Sequence, residues 1–579
     1  MNFVVLWRAG SSSPELVTRQ ARTIKADAVR MIVLGHCLAS DTQLTEGLSV
    51  VSRTRQPHPV LSGWPGCYSL VVLLPDGVVL LTDPVGQFPV YSTAAADGTW
   101  FSSSAVELAA RENIGVDHVR LATGIACSDV LDIMDNHTAF TEVRRLPPGH
   151  VVNVDATGIE MKPVGSVSID RGTRFEDAAE RLRSALLKSV ESRVATAPVI
   201  TGDFSGGIDS SVLMFLSMRA GAEVSGFTFH HSAAETDDLR WARRYAALAP
   251  ELTHHLVPST QDDLPYMNLV ASEDEPHPSS LGVGSTRSRL RMAAEQGSTL
   301  HLVGEGGDVV ASAPPTYLAD LVRHGEVSAL WTHCMRWARV RQCSPLALLR
   351  RAMYVATTPR RQALLSLAAA VERASPADDT LPWPNKAIRH WGSPQAEWLT
   401  RRARADLAAQ LRSRADTPTD DIGVADAVTL SLLRMQVMTQ RAVRDAGMEF
   451  GIEVHAPYLD TEVVQACLAL PAYRRAGLAG PKPLLRAALT GLVPRAVLDR
   501  PTKGDYTSSS YRGVRQAAPA LRELLRESAA ADHGIVDPVP VRATLERAVQ
   551  GLPVPWSKLD QVFAVELWLR ALSRKVSGV

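Results

Sequence analysis

The chain predicts an α/β protein in two parts, an antiparallel strand-rich region followed by a parallel sheet covered on both faces and then a mainly helical stretch. Two observations carry this. Residues 1 to about 165 alternate short Val/Leu/Ile runs with Gly, Pro and Asp, as in "CYSLVVLLPDGVVLLTDPVGQFPVY" and "GHVVNVDATGIEMKPV", the pattern of strands separated by turns. From "PVITGDF" to "TLHLVG", apolar runs of strand length alternate with helical patterns of ten or so residues, as parallel strands covered on both faces require. A chain of 579 residues also exceeds what one hydrophobic core ordinarily fills.

Between the two parts, "FEDAAERLRSALLKSVESRVA" spaces its apolar residues as a helix and carries acids in its first turn. The alternation then reads strand "PVITGDF", helix "SSVLMFLSMRAG", strand "EVSGFTF", helix "DDLRWARRYAALA", strand "LTHHLVP", helix "TRSRLRMAAEQG" and strand "TLHLVG". From about 315 to 500 the pattern is mainly helical.

Composition narrows the function classes. With 61 basic and 61 acidic residues, nothing in the overall charge favours nucleic acid or an anionic membrane as a partner. The apolar stretches fall short of the ~18 residues of a membrane span, and "MNFVVLWRAG" lacks the form of a secretory signal, so a soluble cytoplasmic protein is expected. The six cysteines, Cys37, Cys67, Cys127, Cys334, Cys343 and Cys467, form no C-x-x-C pair and are expected to be buried thiols. Only eight of the 61 basic residues are lysines, which makes each lysine in a motif more informative.

The first strand of the alternation ends in "FSGGIDSS", Phe204 to Ser211. In an open parallel sheet ligands sit beyond the carboxyl ends of the strands, where loops turn into helices. Glycines there admit a ligand close to the backbone, and a helix N-terminus offers unpaired N–H groups to an anion. Ser205, Gly206, Gly207 and Ser210 therefore form a candidate phosphate cradle. The carboxylate of Asp209 in its midst would repel bare phosphate, which calls for a bridging Mg²⁺.

These residues resemble the ATP-pyrophosphatase loop of the adenylating amidotransferases, and further landmarks narrow the resemblance to the class B asparagine synthetase-like superfamily. "VGEGGD", Val303 to Asp308, is similar to the S-G-E-G-S-D stretch of asparagine synthetases, "GIEVHAPYLD" to their E-V-R-x-P-F-L-D segment, and "PKPLLRAALTGLVPRAVLDRPTKGD" to their K-x-x-L-R-x-A and R-P-x-K-x-G stretches. Upstream, "DPVGQFPVY", "FSSSAVEL" and "RLPPGHVV" resemble landmarks of the glutaminase domain. The resemblance implies an N-terminal nucleophile (Ntn) hydrolase-like, glutaminase-like sandwich over residues 1–170. An ATP-pyrophosphatase domain, a doubly wound parallel sheet with helical additions, would follow over 171–579, with a helical Trp/Arg-rich region at about 315–425.

It implies ATP and Mg²⁺ as cofactors. Asp209 and Asp308 would hold the metal, while Phe204, Thr228 and Gly304 would border the adenosine. Glu305 would act as base or orienting group, and Lys503, with Lys482 as a second candidate, would steady pyrophosphate and the oxyanion. Glutamine-using members carry cysteine at position 2, whereas this chain has Asn2, a side chain without a nucleophile for acyl transfer. The glutaminase-like part is therefore expected to be silent, and the amine to come from the substrate.

Such an arrangement resembles lasso peptide cyclases, macrolactam synthetases that adenylate an Asp or Glu side chain of a precursor peptide for attack by the peptide's N-terminal amine. That resemblance implies a precursor peptide as substrate, with a leader-binding protein and a leader peptidase as partners. An ammonia-dependent asparagine synthetase and a β-lactam synthetase-like cyclase are the alternatives. In β-lactam synthetases a tyrosine replaces the glutamate kept here as Glu305. Trp331, Trp337, Trp383, Trp391 and Trp398, interspersed with arginines such as Arg336 and Arg360, mark either a peptide groove or a helical core.

Overall fold

The computed structural model describes residues 3–8, 14–18, 21–55, 59–96, 98–130, 136–165, 167, 169–170, 172–230, 236–377, 381–418, 422–477, 480–502, 504 and 507–577. The N-terminal part holds two antiparallel sheets. The first contains β1 (Phe3–Arg8), β2 (Glu15–Thr18), β7 (Tyr91–Ala95), β8 (Gly98–Ser102) and β9 (Arg144–Arg145), in the order β2-β1-β8-β7-β9. The second contains β3 (Arg22–Ala26), β4 (Val29–Cys37), β5 (Gly66–Leu74), β6 (Gly77–Leu81), β10 (His150–Asp155) and β11 (Gly158–Pro163), in the order β11-β10-β6-β5-β4-β3.

Strand periodicity sorts their side chains into layers. Ile32 and Leu34 of β4, Val71 and Leu73 of β5 and Val78 and Leu80 of β6 pack with Phe3, Val5 and Trp7 of β1 in one core. The alternate residues Met31, Val33, Leu70, Val72, Val79 and Leu81 face the other way, onto Leu44, Leu48 and Val51 of the helix Asp41–Thr54.

After the helix Phe175–Thr196 the expected parallel sheet forms from β12 (Val199–Asp203), β13 (Glu223–His230), β14 (Thr253–Pro258), β15 (Leu300–Leu302) and β16 (Glu453–His455). All pairings are parallel, in the order β14-β13-β12-β15-β16. The chain winds outward from β12 in one direction and then, beginning with β15, in the other. The switch point of this doubly wound sheet therefore lies between β12 and β15. The fifth strand sits inside a stretch expected to be helical, and only the partner β15 makes its three residues a strand.

The two parts share a core. Phe3, Val5, Phe88 and Val90 belong to the same apolar cluster as Leu182, Leu186, Tyr458 and Leu459. Polar contacts seal the junction: Gln87 Nε2 donates to the Leu459 carbonyl at 2.9 Å, and Asp274 accepts from Ser104 Oγ at 3.0 Å and from Arg441 at 3.0 Å. Glu275 takes Arg120 at 3.1 Å and Arg145 at 2.6 Å. The helices Tyr317–Arg323, Val327–Arg341 and Pro345–Thr357 build a separate small core. Among the described residues no helix is long and apolar enough to cross a membrane.

Candidate active site

Both glycine-rich loops leave the sheet at the switch point. The loop after β12 enters the helix Ile208–Arg219, whose N-cap, Gly207, provides no side-chain cap and leaves the first-turn N–H groups for another acceptor. Ser205 Oγ lies 3.0 Å from Ser210 Oγ and accepts from the Gly207 N–H at 3.2 Å, so the turn is held by its own hydroxyls. Gly206 has φ +79°, and a Cβ there would come within 2.3 Å of the Asp238 carbonyl oxygen; no other residue fits. Phe204 and Thr228 act from below. The Thr228 hydroxyl donates to the Phe204 carbonyl at 2.5 Å and lies 2.8 Å from His254 Nε2, fixing the start of the turn.

The loop after β15 meets the first loop closely. A Cβ on Gly304 would lie 2.8 Å from the Ser210 backbone nitrogen, and one on Gly307 would lie 2.4 Å from the Asp209 carboxyl carbon. These glycines let the two loops touch and bring Asp209 and Asp308 to one point. There Lys482 bridges them, its Nζ bonded to Asp209 Oδ2 and 2.7 Å from Asp308 Oδ1. Burial opposes the ammonium charge, but the two carboxylates outweigh it and hold the amine above its ordinary range. Two carboxylates converging on one cation are hard oxygen donors of the kind Mg²⁺ takes, and a side chain on Gly307 would fill their cradle, so the site fits that metal.

Glu305 stands beside this cluster. Burial and the carboxylate of Asp203 push its carboxyl up to about 7, against the opposing pull of Arg289 and of Gln436, which donates to it. Asp203 itself, despite burial, is held down at about 2 by Arg289, whose Nε lies 2.7 Å away, and by His301 at 3.2 Å. Neighbouring carboxylates with divergent proton affinities are a mark of acid–base assignment. Tyr458 supports the first loop from the far side, its hydroxyl donating to the Asp209 carbonyl at 3.2 Å.

Ser205, Gly206, Gly207, Asp209, Ser210, Gly304, Glu305 and Asp308 thus come together at the switch point. Lys503 lies outside the described residues, but its neighbours are anchored nearby. The Thr502 hydroxyl bonds Asp237, and Arg500 reaches Asp237 at 3.0 Å and also bonds Asp238. Lys482, ranked second on sequence, is the lysine seen between the two aspartates. Asp203, Arg289, Gln436 and Tyr458 had no signal in the sequence beyond the segments they sit in.

The expected burial of the thiols is seen for five cysteines, Cys343 being half-buried. Burial raises every one: Cys37 and Cys334 to about 11, Cys127 and Cys467 to about 12, with Cys67 and Cys343 also raised. None is an activated thiolate nucleophile. Elsewhere His36, Glu453 and His455 bring donor atoms within 4.8 Å of one another. Arg193 Nε donates to His455 Nδ1 at 3.0 Å, which places the proton of the neutral ring on Nε2, facing Glu453 at 3.2 Å. The lone pair a metal would need on His455 is taken, so the trio packs the junction as a hydrogen-bonded group.

The asparagine synthase family model matches residues 181–570, and the chain belongs to that family. It is 26% identical over 224 residues to the carboxyethyl-arginine beta-lactam-synthase of Streptomyces clavuligerus, a stretch that is 36% of this chain and 40% of that protein's length. Among solved structures it is similar to an allosteric regulatory enzyme of purine biosynthesis, at TM-score 0.19 and 11% identity over 44% of this chain and 74% of that one. It is also similar to the glutamine phosphoribosylpyrophosphate amidotransferase of B. subtilis, at TM-score 0.19 and 12% identity over 52% and 75%. At that TM-score neither structure carries an argument about the fold.

Proposed function

We propose that this protein is an ATP-dependent amide-forming cyclase, a macrolactam synthetase of the lasso peptide type. Mg-ATP would be bound at the switch point and would supply an adenylate leaving group to an Asp or Glu side chain of a precursor peptide, releasing pyrophosphate. The observation that carries the reading is the convergence of Asp209, Asp308 and Lys482, with Glu305 poised near neutrality beside them.

In this reading Ser205, Ser210 and the open N–H groups after Gly207 hold the phosphates, and Asp209 and Asp308 hold Mg²⁺. Lys482 meets the negative charge that grows on the carbonyl oxygen during amine attack, the stabilisation that preorganised donors supply best. A carboxyl titrating near 7 is matched to taking a proton from the attacking α-amine, whose ordinary pKa is ~7.7 to 8.0. The raised thiols favour an amine carried by the substrate over ammonia released from glutamine.

A second reading, ring closure within a single amino acid derivative, is favoured by the likeness to the beta-lactam-synthase. The test is pyrophosphate release from Mg-ATP with three acceptors: free aspartate plus ammonia, a small amino acid derivative, and an acidic peptide with a free N-terminus. Release with the peptide alone, together with loss of one water from its mass, supports the cyclase. Asparagine formed from free aspartate would return the chain to an ammonia-dependent synthetase.

A further inference from the structure

A cavity of about 320 Å³ lies beside the reaction centre, walled by Pro314, Thr316, Arg389, Trp391, Val428 and Leu432 among others. Its position is set by the helix Val424–Met448. Val424, Val428 and Leu432 lie on one stripe of that helix and line the cavity, and Gln436, the next residue on the stripe, holds Glu305. One helical turn, about 6 Å of rise, separates the last wall residue from the side chain that grips Glu305. From the other side, Pro314 follows closely on the helix Gly307–Val310 that carries Asp308.

The electrostatics of the cavity are lopsided. Asp129 is the one carboxylate on its lining; it is bonded to Lys558 at 3.2 Å and to the Gly392 N–H, and the Arg389 guanidinium lies within its field without a hydrogen bond to it. Arg360 and Lys386 also line the cavity and are engaged with other groups. The guanidinium of Arg389 donates no hydrogen bond to any described residue; its bonds, from its backbone N–H and to its carbonyl, both run to the Thr316 hydroxyl. His390, next along, has a buried Nε2 without a partner among the described residues. Trp391 gives the pocket an aromatic wall, with the Arg360 guanidinium 5.9 Å from its ring centre. Of the five tryptophans of the helical region, Trp391 is the one on this cavity. Trp398 is fully buried, and Trp337 and Trp383 pack on each other at 5.0 Å.

We propose that this cavity is a carboxylate subsite. Resting on the reading of the reaction centre given above, it takes a second carboxylate of the peptide being activated, paired with the Arg389 fork and flanked by an apolar or aromatic residue on Trp391. Arginine pairs with carboxylates in a bidentate fork, and the half-buried Arg389 guanidinium, with no hydrogen bond from its fork to a described residue, is free to form one. The volume is at the small end for ligand pockets, about 300 to 1,000 Å³. It holds one or two side chains, so the remainder of the peptide lies outside it. The substrate class this selects is a peptide with two carboxylates, one for activation and one for anchoring.

The test separates the pocket from the reaction. Saturation-transfer NMR on the full chain compares N-acetylphenylalanine with N-acetylphenylalanine amide, without ATP. The account expects transfer to the acid at least fivefold above the amide, abolished in Arg389→Met and partly kept in Arg389→Lys, which preserves charge without the fork. Equal transfer to acid and amide, or transfer to the acid unchanged in Arg389→Met, overturns the subsite. In pyrophosphate release with a two-carboxylate peptide, Arg389→Met should raise KM about tenfold with kcat unchanged, and amidating the anchoring carboxylate should erase the difference. Carboxylate-specific binding with no pyrophosphate release from any peptide would fault the proposed reaction and leave the subsite standing.

Discussion

The Lys482 ammonium lies 2.7 Å from an Asp308 carboxylate oxygen while also bonding Asp209, so one buried cation joins the two glycine-rich loops at the switch point. Lys482→Met removes the donor for the developing oxyanion together with the cation between the two carboxylates. The expected loss in the amide-forming rate is about 10²- to 10³-fold. Single-turnover formation of the dehydrated product, read by mass at saturating Mg-ATP on protein shown to be folded by circular dichroism, checks it; a rate within threefold of the parent would remove Lys482 from the chemistry.

Gly307→Ala tests how tightly the loops must meet. Its Cβ would fall 2.6 Å from Asp209 Oδ1, so the carboxylate must shift, and a misplacement of that size costs on the order of 10²-fold in rate. The melting temperature should change little, because the strain falls on a side-chain position. A fully active Gly307→Ala protein would show that Asp209 need not occupy the position seen here.

Glu305 links activity and stability to pH. Folding raises its carboxyl from 4.5 to about 7, so between those values the native state keeps a proton that the unfolded chain has released. Its contribution is therefore most favourable below 4.5 and is lost as pH rises toward 7. Glu305→Gln, which can still accept from Gln436, should gain stability over the parent across that window, by up to about 3 kcal/mol above pH 7. Its rate profile should lose the limb that rises through about 7. Denaturant unfolding at several pH values, with a rate profile from the same protein, reads both effects.

Asp460 ends the "APYLD" segment, yet its role is structural. It accepts from Arg193 at 2.7 and 2.8 Å and from Ser189 at 2.6 Å in the interior. Asp460→Ala strands a buried guanidinium and should cost about 3 to 5 kcal/mol. Urea unfolding measures this, with the KM for ATP expected to stay near the parent value in the folded fraction.

Much of this was legible in the sequence because local rules and tertiary outcome agree. The alternation from "PVITGDF" to "TLHLVG" gave four strands in the right places, and the first glycine turn carries its own conformational reason in Gly206, whereas Gly307 is required by the approach of Asp209. What escaped was set by topology. The strand Glu453–His455 has three residues and no pattern of its own. Gln436 sits on a long helix, and its partnership with Glu305 follows only from how that helix crosses the sheet. Arg389 has no local signal, because nothing in the sequence distinguishes an arginine whose fork faces a cavity from one that is solvated. The tryptophans divided along the same line, with Trp398 in the core and Trp391 on the cavity.

The central claim is that a carboxylate is activated at phosphorus. The most direct measurement supplies Mg-ATP and an acidic peptide with a free N-terminus whose side-chain carboxylate carries ¹⁸O, and reads both products by mass. The account predicts AMP bearing one heavy oxygen and a peptide that has lost one labelled water; ADP and phosphate as products, or AMP without the label, would contradict it.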